Sequence, residues 1–126
     1  RRRRSLLLSN NPDAARRARR TAEQVCLEWG IPEITADAVL VVSELTENVI
    51  RHARSEGWLR LELRGHMFTV AVADSDPSPP RPRPPNERRH GGRGLALVAE
   101  LSRAWGYAPQ VPQGKVVWAV LLVPDR

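Results

Sequence analysis

The sequence predicts an α+β domain, a two-layer sandwich in which a mixed, mostly antiparallel sheet of about five strands carries three helices on one face. Three observations point there. Residues 14–29 and 33–53 place apolar side chains at three- and four-residue spacing, the mark of amphipathic helices. Residues 58–73 alternate on both sides of Gly65-His66, the mark of a hairpin. Residues 115–123 are apolar enough for a buried strand.

In chain order, residues 1–10 form a basic segment whose short apolar run, Ser5 to Leu8, reads as an edge strand. Asn10, Asn11, Pro12 and Asp13 supply a turn and a helix N-cap. The helix that follows is expected to reach Trp29, with Ala15, Ala18, Ala22, Val25, Cys26 and Trp29 inward and Arg16, Arg17, Arg19 and Arg20 outward. Gly30 stops it and Pro32 starts the approach to the next.

On the helix over 33–53, Ala38, Val41, Val42, Leu45 and Val49 form a docking side. Glu44, Asn48 and Arg51 form a narrow stripe on the other side, flanked by Glu47 and His52. Ser55, Glu56 and Gly57 turn the chain into a strand, Trp58 to Arg64, that buries Leu59, Leu61 and Leu63. Met67 to Ala73 returns, and Asp74 follows at the sheet rim, where a side chain reaches a pocket.

Residues 75–90 hold six Pro and four Arg, which excludes helix and central strand. A loop this long in a compact domain is functional or disordered. Its ending, Gly91-Gly92-Arg93-Gly94, favours a lid over a linker or a proline-rich ligand. A third helix is expected over Leu95 to Trp105, with Leu95, Val98, Ala99, Leu101 and Ser102 or Trp105 toward the core. A short strand near Tyr107, a turn over Pro109 to Gly114 and a strand over Lys115 to Val123, with Trp118 in the core, complete the chain.

A length of 126 residues suits one domain, 1–126, that buries roughly two thirds of its unfolded surface. The longest apolar runs, Ala38 to Val42 and Val116 to Val123, fall far short of a membrane span, and residues 1–8 lack a signal-peptide core. A soluble, cytoplasmic protein with no membrane contact is expected. The lone Cys26 lies in an apolar segment and reads as a core residue. The formal charge is +6, but residues 1–20 hold eight Arg and one Asp, or +7, which leaves the remaining 106 residues at −1. No basic face with interleaved aromatics is visible, so no direct nucleic-acid contact is expected; the basic end suits an acidic protein surface or solvent.

The helical stripe suggests chemistry. An amide and a carboxylate one turn apart suit a divalent cation, Asn48 offering a neutral oxygen to Mg²⁺ and Glu44 accepting a proton. A solvated polar face is the plainer alternative. Glycines at a helix entry, Gly92 and Gly94, free backbone N–H groups for an anion. The Walker A pattern is missing from the sequence.

Taken together, Glu44-x-x-x-Asn48 on a helix, Asp74 after a hairpin, a long loop and then Gly92-Arg93-Gly94-Leu95 resemble the Bergerat (GHKL) ATP-binding fold. The strings SELTENVIRHA, VAVADSDPSPP, GGRGLALVAELSRAWG and GKVVWAVLL look most like the small anti-sigma-factor serine/threonine kinases and related actinobacterial regulatory ATP-binding proteins. The resemblance covers nearly the whole chain and makes residues 75–90 the ATP lid. It implies ATP and Mg²⁺ as cofactors, with Asn48 on the metal and Glu44 as general base. It also implies that Asp74 accepts from the adenine amino group, and that Gly92 and Gly94 present N–H groups to phosphate ahead of Leu95. Arg93, Arg51 and His52 would lie near the phosphates.

By the same resemblance the chain is expected to act as a protein kinase and anti-sigma factor in transcriptional control. Its partners would be a sigma factor and an anti-anti-sigma protein, with a homodimer possible. The chain departs from the family pattern at Asp76 and Ser78, where glycines are usual. It departs again at Glu47 beside Asn48, and at Val116 where many relatives carry Thr near the adenine. These departures support the alternative of a catalytically weak or inactive scaffold that sequesters a regulatory partner.

Overall fold

A computed structural model of the chain describes residues 2–9, 12–52, 56–74, 94–109 and 114–125; the side chains of 49–52 are not among the described atoms. The elements run β1 (Arg2–Leu8), α1 (Ala14–Glu28), a short 3₁₀ turn (Pro32–Ile34), α2 (Thr35–His52), β2 (Gly57–Arg64), β3 (Met67–Asp74), α3 (Leu95–Leu101), β4 (Ala104–Pro109) and β5 (Lys115–Leu122). The strands form one sheet in the order β1-β2-β3-β5-β4. Every ladder is antiparallel, in the five-stranded sheet that was expected to be mostly so. Two helices between β1 and β2 carry the chain up and back, so β2 returns against β1 rather than alongside it.

Alternation divides the sheet into two faces. Leu59 and Leu61 of β2, Phe68, Val70 and Val72 of β3, and Val117, Ala119 and Leu121 of β5 are buried on the helical side. Against them pack Ala18, Ala22, Val25 and Cys26 of α1, Ala38, Val41, Val42 and Leu45 of α2, and Leu95 and Val98 of α3. Each large side chain in this layer contributes about 1.5–3 kcal/mol by leaving water. The small residues of α1 let it lie close to α2, and Trp29 meets Phe68 edge to face with ring centroids 6.1 Å apart.

The end of α1 is a Schellman cap: Gly30 N–H donates to the Leu27 carbonyl at 3.2 Å and Ile31 N–H to the Cys26 carbonyl at 2.9 Å. Its start differs from expectation. Asp13 occupies the N-cap position without a side-chain cap bond, and its carboxylate instead pairs with Arg16 at 2.6 Å. Asn10 and Asn11 lie outside the described residues.

β1 begins at Arg2, three residues before the apolar run. Its arginines hold the extra length: Arg2 donates to the Trp29 carbonyl at 2.9 Å, Arg4 pairs with Glu28 at 2.6 Å, and Arg3 lies 3.6 Å from Glu62 of β2. Positive charge at the C-terminal end of α1 also suits the helix dipole.

Two further expectations are corrected. The third helix stops at Leu101, because Ser102 is extended and Arg103 N–H already donates to the Val120 carbonyl at 2.8 Å; Trp105 therefore lies in β4 and packs at the core's rim. Trp118 is on the outer face, away from the helices, because β5 enters the sheet with Lys115, Val117 and Ala119 inward. The turn residues 53–55 and 110–113 and the predicted lid, 75–90, lie outside the described residues.

Candidate functional site

α2 is buried on more than its apolar side. Ser43, Glu44, Thr46 and Asn48 are all buried, Glu44 at 4% and Asn48 at 7% exposure. Glu44 and Asn48 of the polar stripe are therefore interior, and the reading of these two as part of a solvated helix face falls. Removing a carboxylate and an amide from water is costly unless the fold or a ligand answers them. Arg19 of α1 reaches across to Ser43 Oγ at 3.3 Å. Thr46 Oγ1 is fully enclosed and has no hydrogen-bond partner among the described residues.

α2 packs against β3, β5 and α3, the elements that carry or follow the other named positions. Asp74 is the last residue of β3, buried on the helical side of the sheet. It has a partner that the sequence did not announce. Lys115, the first residue of β5, stands directly across the ladder from Asp74. Its Nζ lies 3.3 Å from Asp74 Oδ1 and 3.1 Å from Oδ2, with the lysine side chain 3% exposed and the aspartate fully enclosed.

Val116, by contrast, faces the outer side of the sheet, in a shallow hollow with Trp58, Arg60, Ala71 and Ala73. The β5 residue on Asp74's side of the sheet is Lys115, because side chains alternate along a strand.

Gly94 is the N-cap of α3 with φ +63° and ψ −128°, a backbone state open in practice only to glycine. Leu95 is buried and packs into the core. Leu97 and Val98 N–H groups are taken by the Gly94 carbonyl at 3.0 and 3.2 Å. Arg51 and His52 fall in the last turn of α2, but their side chains, like Gly92, Arg93, Asp76 and Ser78, lie outside the described residues. Glu47 is half-buried on α2.

Among the described residues no group of three or more His, Cys, Asp or Glu side chains forms an all-protein metal cage. Mg²⁺ that arrives with a nucleotide needs only one or two hard oxygen ligands from the protein. The enclosed amide of Asn48 offers an oxygen of that kind, so the residue present fits the ion.

Residues 8–121 match the model of the histidine kinase-like ATPase domain. The chain belongs to that family. The histidine kinase-like ATPase domain is an ATP-binding fold, and the five strands and three helices seen here are its architecture. A solved structure of the RsbU and RsbW domains of a Mycobacterium tuberculosis protein is similar over 100% of this chain, with a TM-score of 0.75 and 21% identity. This chain covers 34% of that longer one. No curated protein sequence matches it.

Lys115 is the residue that sequence reasoning passed over. One signal was present: the chain holds 19 Arg and a single Lys, and that lysine opens an otherwise apolar strand.

Proposed function

We propose that this ATPase-family chain is a regulatory protein serine/threonine kinase that acts as an anti-sigma factor in the cytoplasm. A sigma factor and an anti-anti-sigma protein would be its partners. The observation that carries the proposal is the burial of Glu44 and Asn48 one turn apart on α2. The likeness to a structure that includes an RsbW domain supports it, as do the motif strings SELTENVIRHA and GGRGLALVAELSRAWG.

MgATP, when bound, supplies the transferable phosphoryl group and the divalent charge that neutralises it. Asn48 offers its carboxamide oxygen to the ion. Glu44 takes the proton of the accepting serine hydroxyl, an effect worth on the order of 10² to 10⁴ in rate. Asp74 accepts from the exocyclic amino group of the base. Gly92 and Gly94 present backbone N–H groups to phosphate, and Leu95 anchors that turn to the core. Arg93, Arg51 and His52 supply positive charge around the phosphates.

The test is a pair of substitutions. Glu44→Ala is expected to lose phosphoryl transfer by roughly 10² to 10⁴-fold while still binding ATP, and Asn48→Ala to lose the Mg²⁺-dependent part of binding. Transfer at the wild-type rate by Glu44→Ala overturns the catalytic assignment.

A second reading is a non-enzymatic scaffold that holds a regulatory partner. The engagement of Asp74 by Lys115 favours it, since the carboxylate meant for the base already has a cation. Calorimetric titration with MgATP separates the two: absence of both heat and thermal stabilisation supports the scaffold.

A further inference from the structure

We infer that Lys115 converts Asp74 from an adenine selector into a reader of 6-oxopurines as well, so that the site takes GTP alongside ATP. The inference rests on the reading that Asp74 faces the nucleobase.

A lone buried carboxylate is an acceptor only. It answers the amino group of adenine, but it meets the carbonyl oxygen at the same position of guanine lone pair to lone pair. Sites that leave such buried polar groups unanswered reject the wrong ligand by about 10⁴ to 10⁵. Asp74 is not alone. Its two oxygens lie 3.3 and 3.1 Å from Lys115 Nζ, both side chains are buried, and the pair forms one rung of the β3–β5 ladder.

The other rungs on that face are Phe68 with Leu121, Val70 with Ala119 and Val72 with Val117. The pair is therefore the polar end of an apolar wall, and it places a donor beside an acceptor.

A 6-oxopurine carries an acceptor, O6, next to a donor, N1–H. The lysine ammonium answers the first and the carboxylate the second. Adenine carries the same two functions in reverse order, an amino donor next to the N1 acceptor. Either oxygen of Asp74 can accept from the base, and Nζ sits on a flexible four-carbon stem with three rotatable N–H groups, so the ammonium changes sides and the pair serves either order. Arginine, with its rigid planar fork, has no such freedom. The single lysine of a chain with 19 arginines stands at this position.

The test is equilibrium binding of MgATP and MgGTP to the whole chain, wild type and Lys115→Met. Wild type is expected to bind the two within about 10-fold, and Lys115→Met to lose GTP at least about 10-fold more than ATP; 10-fold is about 1.4 kcal/mol. Lys115→Gln, which keeps a donor, is expected to restore GTP binding.

Wild-type preference for ATP above about 100-fold overturns the inference. So does an equal loss of both nucleotides in Lys115→Met. The wild-type comparison stands even where Lys115→Met does not fold. Failure of wild type to bind either nucleotide overturns the nucleotide reading itself, and the inference with it. ATP binding without GTP binding overturns the inference alone.

Discussion

Cys26 shows how one residue's environment sets its chemistry. It has no exposed surface in α1, and burial pushes its thiol up, against a weaker opposite pull from a hydrogen bond with Thr35. The native thiol therefore holds its proton beyond the pH at which the unfolded chain releases it. The resulting stability is fully present below about pH 9 and is lost as pH rises further. Cys26→Ala is expected to flatten that alkaline loss, read as the urea midpoint against pH, and native protein should resist thiol alkylation until unfolded. The inward place of Cys26 was legible from helical spacing. So was the polar stripe that holds Glu44 and Asn48, although their burial was not: a helical wheel gives the stripe but not what covers it. The partner of Asp74 was beyond the sequence for a different reason. It requires the register of β3 on β5, and those strands are separated by 40 residues of chain, from 75 to 114, that fix no register by themselves.

Elements whose pattern is long were read well, and short ones were read poorly. α1, α2 and the β2–β3 hairpin have two or more turns or a full alternation to declare themselves, and their boundaries came within a few residues. α3 has seven residues, and the Ser102-Arg103-Ala104-Trp105 that follows it declares neither period; the ladder with β5 decides that Ala104–Pro109 is strand. That same ladder explains why Trp118 lies outside the core. Gly106 faces it across the strands, and a Cβ at 106 would stand 2.8 Å from the indole ring. Gly106→Val is expected to cost about 1–3 kcal/mol and to shift tryptophan emission, measured by denaturant titration followed at both fluorescence and circular dichroism. Equal stability with unchanged emission would overturn the expected clash between residue 106 and the indole.

At the scale of the molecule, one core lies between the helical layer and one face of the sheet, and a ligand held there adds its binding energy to folding. MgATP at 100 times its Kd is expected to stabilise the native state by about 2.7 kcal/mol, read as a rise in Tm. Phe68→Ala, at the centre of the same layer, is expected to cost about 3–5 kcal/mol in urea unfolding. The basic character that dominates the composition also belongs to this scale. β1 and β4 are the two rims of the sheet, and β1 opens with Arg2, Arg3 and Arg4. A rim strand offers unpaired peptide groups to any passing chain, and cationic side chains along it make that pairing repulsive. Replacing the three with Thr should fray the first residues of β1, which their contacts hold, and seed fibrous, dye-binding precipitate on concentration. The run of arginines thus works as a fence, allowing the protein to crowd its neighbours without knitting itself to them.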